Sequence, residues 1–310
     1  MAGLISIISA NAAKPGPDIR IDTLNEVKRL IVNADDFGLT AGVNRAILSL
    51  NQSGVLTSTT LMATAKATAE AASRAANAPK LGVGCHVVLV DGTPILAARD
   101  LPTLVDPATG RFRPTLGKFV RDLFLGRIHA HEIEAEAEAQ IAHLQSLGIV
   151  LTHIDSHKHT HLFPTVLKPL LNAAKRCKIP AIRNPFEPRW SLDATLAAPV
   201  LRRTQVRILS RFQSSFRSLV ADSGLLTTDG AIGVLATGTL DGPGLISLLS
   251  FMPDGTWELV THPGYNDTDL AHAGTRLLAS REIELNALAS LSTPPGLRLI
   301  HFGQLGQTGS

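Results

Sequence analysis

Cysteine is nearly absent. Cys85 and Cys177 are the only two in 310 residues, and they lie far apart. That excludes a disulfide framework and fits a reducing, cytoplasmic setting. Charge of one sign is also missing. The net charge is +3, and no Lys/Arg block of the kind that grips nucleic acid occurs, so nucleic acid is not an expected partner. No apolar run reaches the ~18 residues of a membrane span. Near the start, Leu4-Ile5-Ser6-Ile7-Ile8 is short and has no basic flank, so a signal peptide is not expected. There is no Gly-x-Ser-x-Gly elbow, phosphate-binding loop or dinucleotide fingerprint, and neither cysteine sits in a nucleophile motif. Chemistry must come from carboxylates and imidazoles.

What the chain does have is core material, with 45% hydrophobic residues. Residues 1–27 read as a loose arm around Pro15 and Pro17, and 28–310 as one domain. Apolar runs alternate with amphipathic stretches. Strands are expected at 29–34, 55–62, 81–90, about 149–161, 182–183, 232–237, 257–261 and 297–302. Helices are expected at about 41–53 behind a Thr40 cap, 65–77, 116–125, 129–147, 164–177, 242–251 and 273–291. Strand–helix alternation with polar residues gathered after the strands predicts an α/β fold. It is read as a deformed (β/α) barrel of about seven or eight mostly parallel strands with helices outside. Active sites in such folds lie at the carboxyl ends of the strands. Asp35-Asp36, His86, the histidine-rich stretch, Arg183 and His262 all fall at or near such ends.

The stretch Thr152-His153-Ile154-Asp155-Ser156-His157-Lys158-His159-Thr160-His161 is the densest signal. Side chains alternate along a strand. If the strand persists, His153, Asp155, His157, His159 and His161 share one face, and imidazole with carboxylate is a ligand set for a divalent metal. A hydrogen-bonded polar strand end is the alternative. Taken singly, His86 would be a core histidine, and His262 is as readily a turn residue as a catalytic one. Of Asp35-Asp36 at a strand end, one can bind a metal and its neighbour work as base, with an Asx turn or helix cap as the alternative. Glu132, Glu134, Glu136 and Glu138 read as a mostly solvated helix face. So do Arg202, Arg203, Arg207, Arg211 and Arg217, with an anion site as the alternative.

Several blocks together resemble a known family. They are Val32-Asn33-Ala34-Asp35-Asp36-Phe37-Gly38-Leu39, Gly54 to Thr60, Gly84-Cys85-His86, His153 to Pro164, and Thr261-His262-Pro263-Gly264-Tyr265. In this order, from about residue 29 to 303, they resemble the YdjC-like carbohydrate deacetylases, which include chito-oligosaccharide and hopanoid-biosynthesis-associated deacetylases. The resemblance implies removal of an N-acetyl group from an amino sugar, in a chito-oligosaccharide or an N-acetylglucosaminyl glycolipid. It implies Asp36, His86 and His157 as metal ligands, Asp35 as base, His262 as acid, and His159 and His161 beside the site without binding metal. Arg183 would orient Asp35, or be a structural ion pair. Mg²⁺ is the implied cation, although two imidazoles and a carboxylate also suit Zn²⁺. Self-association is common in the family, so a homo-oligomer is an expectation.

Two features depart from the family pattern. Cys85 stands where Leu or Met is usual, and the first 27 residues have no counterpart. The loop from Asp91 to Pro114 resembles that of the hopanoid-associated branch and is a candidate lid. Aromatics make up 4% of the chain. Trp190 and Tyr265 are candidates for stacking on a sugar, with packing as the alternative. The rival functions are another metal-dependent hydrolase, such as a phosphoesterase, and a non-catalytic carbohydrate-binding protein.

Overall fold

Seven strands, every pairing parallel, form one curled sheet in the computed structural model, which describes residues 28–195 and 198–307. The expected arm at 1–27 lies outside the described residues. The strands are β1 Lys28–Phe37, β2 Ser58–Leu61, β3 Gly82–Val87, β4 Leu151–Ser156, β5 Gly230–Ile232, β6 Gly255–Thr261 and β7 Leu297–Leu299. Their order is β4-β3-β2-β1-β6-β5, with β7 against the first residues of β1. Burial on both faces explains why β1 reads as a continuous apolar run.

The open edges are bridged by residues 180–186. The Ile154 and Arg183 amides bond across to Ala181 and Ile154, Ile182 bonds Leu226, and Ala231 bonds Phe186. The sheet is thus a half-barrel whose gap is spanned by backbone hydrogen bonds, the deformed α/β barrel that the alternation implied.

Eleven helices occur among the described residues: α1 Ala41–Gln52, α2 Thr68–Ala75, α3 Leu116–Phe124, α4 Ala130–Ser146, α5 Pro164–Arg176, α6 Arg189–Ala194, α7 Val200–Leu209, α8 Gln213–Ser223, α9 Gly242–Phe251, α10 Thr268–Ala271 and α11 Ala279–Ala289. Thr40 caps α1 as expected, accepting from the Val43 amide at 3.2 Å. None is long and apolar enough to cross a membrane.

Three expectations need correcting. The strand expected over 232–237 stops at Ile232, because the buried Glu187 carboxylate takes the Gly233 and Leu235 amides and turns the chain. The helix expected over 273–291 begins only at Ala279, after a left-handed Gly274. The glutamates of α4 are not a solvated face. Glu132 and Glu136 are buried. Glu136 accepts the Ile95 and Leu96 amides, and Glu132 accepts the Thr103 and Leu104 amides and the Thr103 hydroxyl. The long 91–114 loop is thereby strapped to α4. Glu134 and Glu138, by contrast, pair with Arg176 on α5.

Glu132→Ala would strand two loop amides and a hydroxyl, and is expected to cost about 2–3 kcal/mol. Urea unfolding checks this, and an unchanged midpoint would contradict the strap.

Candidate active site

A cavity of about 450 Å³ opens at the carboxyl ends of the strands. Asp35, Asp36, His86, His157, His159 and His262 all line it. Asp35 and Asp36 are consecutive, so a regular strand would point them to opposite faces. The backbone resolves this. Asp36 is left-handed at φ 65°, and the β1–β2 register shifts between Ala34 and Phe37. Both carboxylates therefore reach one cavity, at the strain cost a non-glycine residue pays in that region.

Different cations hold the two. Arg183 takes Asp35 with both prongs, Nη2 to Oδ1 at 2.7 Å and Nη1 to Oδ2 at 3.0 Å. Arg281, reaching in from α11, donates to Asp36 Oδ2 at 2.5 Å. Burial works against ionisation at both, but Arg183 with His86 and His262 outweighs it at Asp35, and Arg281 with His157 and His86 at Asp36, so each carboxyl sits well below the usual range.

Asp36 Oδ1 is left facing imidazoles, with His86 Nε2 at 3.6 Å and His157 Nδ1 at 3.5 Å. The two ring nitrogens are 3.3 Å apart. One carboxylate oxygen and two imidazole nitrogens converge at this spacing, and the three ligand atoms lie within 4.8 Å of one another. This group fits a divalent cation by donor type and by convergence. Behind it, Asp155 Oδ1 lies 2.7 Å from His86 Nδ1, the carboxylate–imidazole arrangement that fixes which nitrogen is free for a metal. Burial would lower the His86 pKa, yet Asp155, joined by Asp35 and Asp36, overrides it and the ring is pushed up to about 9. Asp35, His86 and Asp155 also lie close together, but Arg183 contacts both of those aspartates and already occupies that place.

Arg183 is fully buried and serves three carboxylates, Asp35, Asp155 and Glu258. Both alternatives for Arg183 are thus present at once: it grips Asp35 and it is a buried ion pair. Burial, only partly offset by Arg183, raises Glu258 to about 7.

His262 Nε2 lies 3.7 Å from Asp35 Oδ2, and the His262 amide donates to Glu284 at 2.6 Å.

The histidine-rich stretch departs from strand geometry. β4 ends at Ser156, and residues 157–162 form a 3₁₀ turn in which Lys158 and His159 are left-handed. The five groups therefore do not share one strand face. His153 is buried inside the barrel, its ring stacked on Phe302 over Gly84, where a Cβ would clash. His157 swings into the convergent group. His159 lines the cavity, and burial holds its pKa down at about 3. His161 is buried against the Ser156 hydroxyl at 2.7 Å. Trp190 packs edge-on to Trp257, and Tyr265 lies under Arg45; neither lines the cavity. Arg202 and Arg203 turn inward to backbone carbonyls, while Arg207, Arg211 and Arg217 are exposed.

Arg281, Glu284 and Glu258 were not singled out from sequence. Glu258 had a signal, a lone charge inside the apolar run Trp257–Val260. Arg281 and Glu284, one turn apart on α11, had none.

A parallel α/β barrel with a carboxylate–imidazole group at its strand ends defines a hydrolase-type enzyme site. The chain belongs to the YdjC-like protein family, whose model matches residues 29–295. It is 32% identical to a carbohydrate deacetylase of Brevibacillus brevis, over 90% of this chain and all of that one. It is 36% identical to one from Geobacillus stearothermophilus, over 83% and 88% of the two chains. A crystal structure from Enterococcus faecalis, assigned to cellobiose-phosphate cleavage, superposes with a TM-score of 0.72 at 25% identity, covering 90% of this chain and 99% of that one.

Two outcomes test the electrostatics. Arg183→Met leaves buried carboxylates uncompensated and is expected to destabilise by about 3–5 kcal/mol in denaturant unfolding. Glu258 has a folded pKa of about 7, above its ordinary 4.5, so the folded state prefers the protonated form. The resulting penalty is absent below the ordinary value, grows as pH rises through this window and is constant above it. Glu258→Gln should therefore gain melting temperature relative to the parent between about pH 5 and about pH 8. Parallel pH profiles would contradict this.

Proposed function

We propose that the chain hydrolyses the acetamido group of an amino sugar, giving acetate and a free amine, with Asp36, His86 and His157 holding a divalent cation. One observation carries the reading. Two adjacent aspartates share a cavity, yet one faces two imidazoles while the other is fixed by Arg183 and lies beside His262. The Brevibacillus brevis and Geobacillus stearothermophilus relatives, both carbohydrate deacetylases, support the same class.

When bound, the cation would polarise the amide carbonyl and lower the pKa of water. The chain's own groups supply the rest. Arg183 keeps Asp35 ionised and its carboxylate plane fixed, so Asp35 is the group that accepts the proton of the attacking water. A carbon–oxygen bond forms at the acetyl carbon and the carbon–nitrogen bond breaks. His262 delivers a proton to the departing nitrogen, and Glu284 holds His262 in place through its amide. No covalent enzyme intermediate is needed.

By family resemblance the cation is Mg²⁺, and the donor set would also accept Zn²⁺. The acceptor is a chito-oligosaccharide or an N-acetylglucosaminyl glycolipid. The two free cysteines support a cytoplasmic enzyme.

The test is acetate release from N,N′-diacetylchitobiose and from an N-acetylglucosaminyl lipid, using stripped protein reloaded with Mg²⁺ or Zn²⁺. Release should require the cation. His262→Ala is expected to lower kcat by about 10²–10⁴-fold. Turnover indifferent to stripping, or phosphatase activity with no acetate release, would overturn the reading.

A further inference from the structure

Between Asp193 and Asp222 the sequence has no acidic residue and five arginines. Two of these turn inward, but Arg207, Arg211 and Arg217 are exposed, and among the described residues none of the three pairs with a carboxylate. On the same stretch Leu201, Ile208 and Phe212 stand at i, i+7 and i+11, the spacing of one helical stripe. An apolar stripe normally faces the core. Here Leu201 is 71% and Ile208 48% exposed, and Val200 beside them is 80% exposed. The stripe does not end with α7. Phe212 meets Phe163, and Phe163 meets Phe124 at the end of α3, both as edge-on pairs 5.7 Å apart. Phe124 and its neighbour Leu125 are exposed in turn.

The position is as telling as the composition. The cavity is lined by Pro114, Thr115 and Leu116 at the start of α3 and by Arg202 of α7. Both of these elements, which form part of the mouth, carry uncovered apolar side chains.

We propose that the α3–α7 rim docks on an anionic lipid bilayer, with the cavity mouth turned toward the headgroups. Leu201, Ile208 and Phe124 would enter the headgroup–acyl boundary, while Arg207 and Arg211 neutralise lipid phosphates. Interleaving of apolar and cationic groups selects this occupant. A second copy of this basic chain would bring arginines against arginines. An acidic protein would match the charge but give the exposed Leu201 and Val200 no hydrocarbon to enter. The docking stands independently of the deacetylase reading. Only its corollary, an amino sugar carried on a membrane lipid as acceptor, rests on that reading.

The test is sedimentation of the full chain with neutral phosphatidylcholine vesicles and with vesicles containing phosphatidylglycerol. Partition onto the anionic vesicles alone is expected, lost in high salt. Arg207→Gln and Arg211→Gln should each weaken it by about fivefold. Leu201→Glu with Ile208→Glu should abolish it, while acetate release from a soluble amino sugar stays at the parent level. No partition of the parent, partition unmoved by Leu201→Glu/Ile208→Glu, or a solution dimer that this pair dissociates would each overturn the proposal. The vesicle result needs no catalysis, so its failure and that of the deacetylase reading are separable.

Discussion

One buried guanidinium serves three buried carboxylates, and the site depends on that arrangement. Arg183 arrives on the segment that spans the gap of the half-barrel. Asp35, Asp155 and Glu258 arrive on β1, β4 and β6. The cluster therefore ties four parts of the sheet together at the level where the cavity opens. Such a cluster is costly to desolvate and costlier to break. Its excess negative charge shows in the groups around it, with Glu258 raised to about 7 and His86 pushed up to about 9. A cavity wall with this balance favours positive charge, which supports the cation proposed at the adjacent Asp36–His86–His157 group.

The second constraint is the left-handed Asp36. Without that turn, β1 would send its two aspartates to opposite faces of the sheet. With it, both enter one cavity and are parted by their partners rather than by distance. Asp36 loses one oxygen to Arg281 and keeps the other for the imidazoles. Asp35 has both oxygens engaged by Arg183. The same helix, α11, supplies Arg281 to the first aspartate and Glu284 to the His262 amide. The two halves of the site are thereby referenced to one rigid element.

Much of this was legible before the structure. Parallel strands buried on both faces read as apolar runs, and function gathers at their ends. Asp35, Asp36, His86 and His262 could be located for that reason, and Arg183 by its place after a short apolar run. The histidine stretch was legible in composition but not in geometry. Two-residue periodicity holds only while the chain is extended, and β4 ends at Ser156 before two left-handed residues. Local periodicity also could not show that Glu132 and Glu136 are buried, because their partners are amides of a distant loop. Arg281 lies 245 residues from Asp36, and nothing in its helix marks it. Interactions that tertiary packing alone creates were the ones that sequence reading missed.

The central claim is that two neighbouring aspartates do separate jobs, one toward a cation and one toward a proton. The most direct measurement is calorimetric titration of Mg²⁺ and Zn²⁺ into stripped parent, Asp36→Asn and Asp35→Asn proteins, all checked for folding. The account predicts that Asp36→Asn loses cation binding, while Asp35→Asn binds the cation like the parent. Loss of binding in Asp35→Asn with retention in Asp36→Asn would contradict it.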